Sequence, residues 1–201
     1  RPAAAAQPPA APHGALRPNI IFILTDDHRY DAFGFMDKPW LKTPHMDRLA
    51  AEGVHFANSF VTTSLCSPSR ASFLTGQYAS RHGVQNNLTP WRASCVTYLE
   101  ILHGLGYHTG FIGKWHMPGE LPDFTGQGKM DRFVTFTADN GQGIYLDCPM
   151  IVDGAETPTS GYITDVLTDY ALDFLGGRGH KPFCLYLSHK AVHHEFLPPE
   201  R

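Results

Sequence analysis

The most reactive residue types of this chain stand in one short run, Cys66-Ser67-Pro68-Ser69-Arg70-Ala71-Ser72-Phe73-Leu74-Thr75-Gly76. A proline two residues after Cys66 suits the first turn of a helix. Ala71, Phe73 and Leu74 continue that helix with good formers and an apolar face. Arg70 follows Cys66 by one turn. A group held at Cys66 then meets the unpaired N–H groups and positive dipole end of a helix, where anions bind.

Three further clusters follow apolar runs. Asp26-Asp27 comes after Ile20 to Leu24, Lys114 and His116 after Thr109 to Ile112, and His193 after Phe183 to Leu187. Two adjacent carboxylates resist ionising together without a cation, so a hard metal is their natural partner. Lys114 and His116 are two residues apart and point the same way on an extended chain. A cation and an imidazole there suit an anion and a neighbouring oxygen. Each cluster read singly has a plainer meaning: a buried cysteine, an Asx turn, a surface loop.

The elements that must position these groups alternate. The continuous β-branched run Ile20 to Leu24 reads as a buried parallel strand. Thr43 to Gly53 reads as a helix with Pro44 at its first position and Gly53 as its stop. Val54 to Val61 alternates and is expected as a second strand. Ser94 to Gly106 has Val96, Leu99, Leu102 and Leu105 at helical spacing. Strands are expected at 109–112, near 132–136 and at 183–187. A long amphipathic helix is expected from Ser160 to Leu175, with Ile163, Val166, Leu167, Tyr170, Ala171 and Phe174 on one stripe. The order predicts an α/β fold with a mostly parallel sheet flanked by helices. Ligands in such sheets collect beyond the carboxyl ends of the strands.

Composition narrows the function classes. The chain has 201 residues, 42% hydrophobic and 17% charged, an ordinary globular balance. The net charge is −3 with no basic run, which argues against a nucleic-acid partner. No apolar stretch reaches membrane-spanning length, so no membrane span is expected. The four cysteines show no zinc spacing. Residues 1–16 are rich in Ala and Pro and read as a disordered linker, leaving 17–201 as the part able to fold. The first residue is Arg, which reads as a processed or trimmed chain with no signal visible.

Together these residues resemble the signature of type I sulfatases, Cys-x-Pro-Ser-Arg followed by three residues and Leu-Thr-Gly, with every fixed position filled. Pro18-Asn19, an apolar strand and Asp26-Asp27 resemble the way these enzymes open. Gly113-Lys114-Trp115-His116 resembles their second signature, and His193 matches their sulfate-contacting histidine. Val192 departs from a frequent proline at that position. The resemblance runs from about residue 17 to the end and implies an alkaline-phosphatase-like architecture.

It also implies a chemistry. A dedicated maturation enzyme converts Cys66 to formylglycine, whose hydrate attacks sulfur. Asp26, Asp27 and residue 66 bind one divalent ion, with Ca²⁺ favoured because the expected ligands are oxygens. Arg70 and His116 position the hydrate, Lys114 and His193 neutralise the sulfate, and His193 protonates the leaving alcohol. The second hydroxyl of the hydrate then expels sulfate. The expected substrate is a sulfate monoester, in particular a sulfated carbohydrate, and the expected location is periplasmic, secreted or lysosomal. The alternatives are a phosphoester or phosphonate ester hydrolase of the same superfamily, or an inactive fragment. Sulfatases place an Asp-Asn metal pair after the later histidine motif, so Asp139-Asn140 is read as a turn near the substrate cleft. The chain is expected to be the N-terminal part of such an enzyme, apparently truncated, with an open sheet edge and exposed apolar faces.

Overall fold

A computed structural model describes residues 17–200; the segment 1–16, read above as a linker, lies outside the described residues. Six strands form one sheet in the order β1-β6-β2-β3-β4-β5. They are β1 (Ile20–Leu24), β2 (His108–Gly113), β3 (Arg132–Thr135), β4 (Met150–Val152), β5 (Ala155–Thr157) and β6 (Phe183–Ser188). The first four in spatial order run parallel, and the β4–β5 hairpin closes the far side antiparallel. The helices are α1 (Pro44–Glu52), α2 (Cys66–Thr75), α3 (Ala79–His82), α4 (Tyr98–Gly104) and α5 (Ile163–Gly177).

The two-residue period of the central strands explains the layering. On β2, Phe111 faces one side and Ile112 the other; on β6, Tyr186 and Leu185 divide the same way. Phe111, Phe133 and Tyr186 pack with Leu74 of α2 and Leu99 of α4. Ile112, Val134, Leu185 and Leu187 pack with Ile163, Leu167 and Phe174 of α5. All six residues of β6 are buried, as a strand covered on both faces requires. Each buried Leu, Ile or Phe side chain contributes on the order of 1.5–3 kcal/mol.

Helix ends follow local chemistry. Thr97 accepts from the Glu100 N–H at 3.2 Å while its own N–H donates to the Glu100 carboxylate at 2.7 Å, so α4 starts at Tyr98, four residues after the expected start at Ser94. Gly76 takes the left-handed conformation that closes α2.

Two expectations are corrected. Residues 54–61 form no strand. They make no ladder with any strand among the described residues, and Val54, Phe56 and Phe60 are largely exposed. A strand needs a partner edge, and alternation alone does not supply one. Among the described residues the outer edge of β1 has no partner strand, and Ile21 and Ile23 are half-exposed, so β1 is parallel as expected but covered on one face only rather than buried. Residues 117–159 hold the β4–β5 hairpin as well as β3. Its turn is Asp153-Gly154, both with positive φ, the backbone that favours a tight hairpin.

Candidate active site

The carboxyl ends of β1, β2 and β6 meet beside the start of α2. Gly113 makes this meeting possible. Its φ is +116°, and a Cβ there would lie 1.8 Å from the Ser188 carbonyl oxygen. Arg70 crosses the gap from α2. Its guanidinium donates to the Lys114 carbonyl at 2.7 Å, to Ser188 Oγ at 2.5 Å and to Asp26 Oδ2 at 3.2 Å. One side chain therefore ties all three strand ends together. Lys114 Nζ also donates to Asp26 Oδ2 and to Gln142 Oε1. Arg70, Lys114 and Asp26 are all buried, so the two cations offset a carboxylate that would otherwise stand unpaired.

The loop after β6 is fixed to the end of β1. The Asp26 N–H donates to the Ala191 carbonyl at 2.9 Å, and the Val192 N–H donates to the Asp26 carbonyl at 2.7 Å. Tyr145 Oη donates to the His193 carbonyl at 2.7 Å. Lys190 lies 4.8 Å from the Tyr145 ring centroid, a cation–π contact beneath the loop. These contacts hold His193 inward, whereas His194 is exposed. One carboxylate oxygen of Asp26, the Cys66 sulfur and a ring nitrogen of His193 all lie within 4.8 Å of one another.

The sequence-expected residues divide between two cavities. Asp26, Asp27, Cys66, Arg70 and His193 line the first, of about 590 Å³. His116 lines the second, of about 650 Å³. Lys114 lines neither. It is fully buried and held by Asp26 and Gln142. Asn87 and Gln142 line both cavities and form their common wall. Asp139 and Asn140 sit in a 3-10 turn, and Asn140 lines the second cavity.

The start of α2 differs from the expected row of free N–H groups. The Ser67 N–H donates to Asn87 Oδ1 at 3.0 Å, Pro68 has no N–H, and the Ser69 N–H donates to the Leu65 carbonyl. Positive charge near Cys66 comes instead from Arg70 and Lys114. Ser67 Oγ donates to the His116 carbonyl at 2.6 Å, which fixes α2 against the segment after β2. His116 has a φ of +49°, so Lys114 and His116 do not share the simple extended geometry that their spacing suggests.

Burial and neighbouring charges set the protonation states. Burial would raise the Asp26 carboxyl, but Arg70 and Lys114 outweigh it and hold the group below its ordinary value. Burial and then Arg70 lower the Lys114 ammonium against the pull of Asp26. Burial, Lys114 and Arg70 push His116 down to about 4. Burial and Lys114 also lower His193, so both imidazoles are neutral at pH 7. Burial raises the Cys66 thiol against Lys114, so the unmodified side chain is a thiol at neutral pH and a weak nucleophile.

A divalent cation has partial support from the donor set. Asp26 commits Oδ2 to Lys114 and Arg70, which leaves Oδ1 for a metal. Asp27 borders the same cavity and is largely exposed, with Oδ2 at 3.8 Å from His193 Nε2. A buried and unpartnered His193 Nδ1 adds a further donor atom. A hard cation takes about six to eight oxygens, so these groups would form part of its shell.

Sequence reasoning missed Asn87, Gln142, Ser67 and Ser188. Gln142 stands two residues after the Asp139-Asn140 pair, so the motif marks its neighbourhood. Asn87 carries no local signal.

The comparisons with known proteins agree with one another. The family model described as Sulfatase matches residues 18–201. An N-acetylglucosamine-6-O-sulfatase of Bacteroides thetaiotaomicron is 37% identical over 186 residues, covering 92% of this chain and 32% of that protein. A solved structure in complex with its substrate D-glucosamine-2-N,6-O-disulfate superposes with a TM-score of 0.85 at 36% identity, covering 92% of this chain and 36% of the other. A phosphonate monoester hydrolase of Agrobacterium radiobacter shares the fold, with a TM-score of 0.64 at 23% identity over 92% of this chain and 43% of the other. The chain thus spans about a third of the relatives of highest identity among these.

Proposed function

This chain belongs to the sulfatase family, and on that premise we propose that the protein containing it hydrolyses sulfate monoesters of carbohydrates, with residue 66 as nucleophile after oxidation to formylglycine. The observation that carries the reading is the convergence of the Asp26 carboxylate, Cys66 and His193 within 4.8 Å, over a buried Arg70 and Lys114. A hexosamine 6-sulfate is the substrate class suggested by the N-acetylglucosamine-6-O-sulfatase relative.

The residues divide the work. Arg70 and Lys114 place two positive charges under the cavity, where they stabilise charge on a bound sulfate. Arg70 also orients residue 66 from one turn along the same helix. His193, neutral and held inward by Tyr145, keeps one N–H to give to the leaving alcohol. His116 has its carbonyl bound by Ser67 and its imidazole neutral, and it orients residue 66 from the second cavity. The two hydroxyls of a hydrated aldehyde at residue 66 would supply the attack on sulfur and the later release of sulfate. Asp26 Oδ1, Asp27 and residue 66 would hold a divalent ion, with Ca²⁺ matched to oxygen donors, as a Lewis acid. Among the described residues no helix is long and apolar enough to cross a membrane. On the same reading the protein works outside the cytoplasm, after a maturation enzyme has acted on Cys66.

The direct test is the mass of the tryptic peptide 49–70. Conversion of the thiol to an aldehyde removes about 18 Da, a change outside the ordinary cysteine oxidation ladder. An unmodified peptide from protein that releases sulfate would remove formylglycine from the account.

A further inference from the structure

The second cavity is built differently from the first. It is bounded by residues 87–88, 115–121 and 136–142 and has a volume of about 650 Å³, within the range of small-molecule sites. Trp115, Met117 and Phe136 are buried along it, Leu121 is partly exposed, and Thr137 and Asn140 are exposed. None of its lining residues is Asp, Glu, Lys or Arg. The first cavity is lined by Asp26, Asp27 and Arg70. Gln142 and Asn87 belong to both, so the two spaces share a wall of amides beside the catalytic cluster.

We infer that this second cavity is a subsite for an uncharged sugar unit adjoining the sulfated one, a specificity that rests on the sulfate-ester reading above. A neutral sugar offers C–H faces and hydroxyl edges. The apolar floor suits the former, and side-chain amides and a hydroxyl, which both donate and accept, suit the latter. A uronate or a second sulfated sugar would bring a charge into a space with no side chain of fixed opposite charge, which costs desolvation without compensation. The Asp139-Asn140-Gly141 turn thereby acquires a role. It presents Asn140 to the sugar and Gln142 to Lys114, so it joins the binding of the neighbouring unit to the charged cluster.

The test compares three substrates with the full-length protein: a hexosamine 6-sulfate, the same unit linked to a neutral sugar, and the same unit linked to a uronate. Wild type should favour the neutral disaccharide over the uronate disaccharide by about tenfold or more in kcat/KM. Thr137→Trp, which fills the cavity, should lower kcat/KM for the neutral disaccharide by about tenfold and leave the monosaccharide within about twofold. Asn140→Gly, which tolerates the φ of +53° at that position, should give a smaller loss of the same kind. Equal losses on monosaccharide and disaccharide, or no preference between the disaccharides, would overturn the inference. If wild type hydrolyses no sulfate ester at all, the functional reading itself fails. Saturation-transfer NMR with the desulfated neutral disaccharide then decides the cavity alone. Binding that Thr137→Trp abolishes supports the subsite, and absence of binding to wild type removes it.

Discussion

The two cavities share a wall yet differ in nearly every physical respect. The first gathers a carboxylate, a guanidinium, a thiol and an imidazole over a buried lysine, and its protonation states are shifted by burial and mutual charge. The second has an apolar floor, an amide rim and one histidine pushed down to about 4. On the proposed reading the first holds and reacts with an anion. The second is arranged to recognise shape and hydrogen bonding. Reaction chemistry therefore depends on few residues whose loss is severe, while recognition is spread over contacts whose individual loss is mild.

The sharpest division between the cavities is expected at Cys66. Cys66→Ala should reduce sulfate release by at least about 10⁴-fold, because the nucleophile has no substitute in the cluster. Thermal unfolding should change little, since Cys66 is only partly buried. Retained turnover would remove residue 66 as nucleophile and collapse the distinction.

Arg70→Ala should reach beyond chemistry. It strips one cation from buried Asp26 and unties three strand ends, so denaturant unfolding should show a loss of about 3–5 kcal/mol. A loss below about 1 kcal/mol would mean that the charged cluster does not hold the sheet ends together.

Acid stability probes both cavities through their histidines. His116 has a folded-state pKa of about 4, below its ordinary value of 6.5. Below pH 6.5 the unfolded chain binds a proton that the folded chain refuses until about pH 4. Stability present above pH 6.5 is therefore lost as pH falls through that window, by roughly 1.4 kcal/mol per pH unit for this group. His116→Asn should flatten the slope of unfolding free energy against pH. An unchanged slope would mean that His116 is not held neutral.

The smallest effect is expected on the shared wall. Gln142→Ala removes one acceptor from Lys114, a change of about 1.5–3 kcal/mol for a hydrogen bond to a charged group. It should lower kcat/KM by roughly tenfold while Gln142→Glu restores the acceptor. A loss as large as that of Cys66→Ala would make Gln142 part of the chemistry.

Legibility in the sequence followed the same division. The continuous apolar run Phe183–Ser188 was readable because both faces of β6 are covered, whereas the equally apolar run Ile20–Leu24 gave the strand but not its environment, since Ile21 and Ile23 face outward. Helix α5 was readable because Ile163, Leu167, Ala171 and Phe174 repeat at helical spacing and are buried. Asp26, Cys66, Arg70, Lys114 and His193 stand in recognisable runs, and the structure gathers them at one end of the sheet. Residues 54–61 misled because alternation describes a strand's faces and says nothing of its partner. The β4–β5 hairpin was missed although Asp153-Gly154 is a strong turn signal, since three-residue strands carry little periodicity. Asn87 and Gln142 matter through contacts with residues 20 and 28 positions away, and no local pattern encodes such contacts.

The most direct measurement of the central claim is a matched pair of esters on one alcohol, N-acetylglucosamine 6-sulfate and N-acetylglucosamine 6-phosphate, offered to the mature full-length protein with Ca²⁺. Release of inorganic sulfate well above release of phosphate, lost in Cys66→Ala, is the predicted result. Faster release of phosphate, or sulfate release that survives Cys66→Ala, would contradict it.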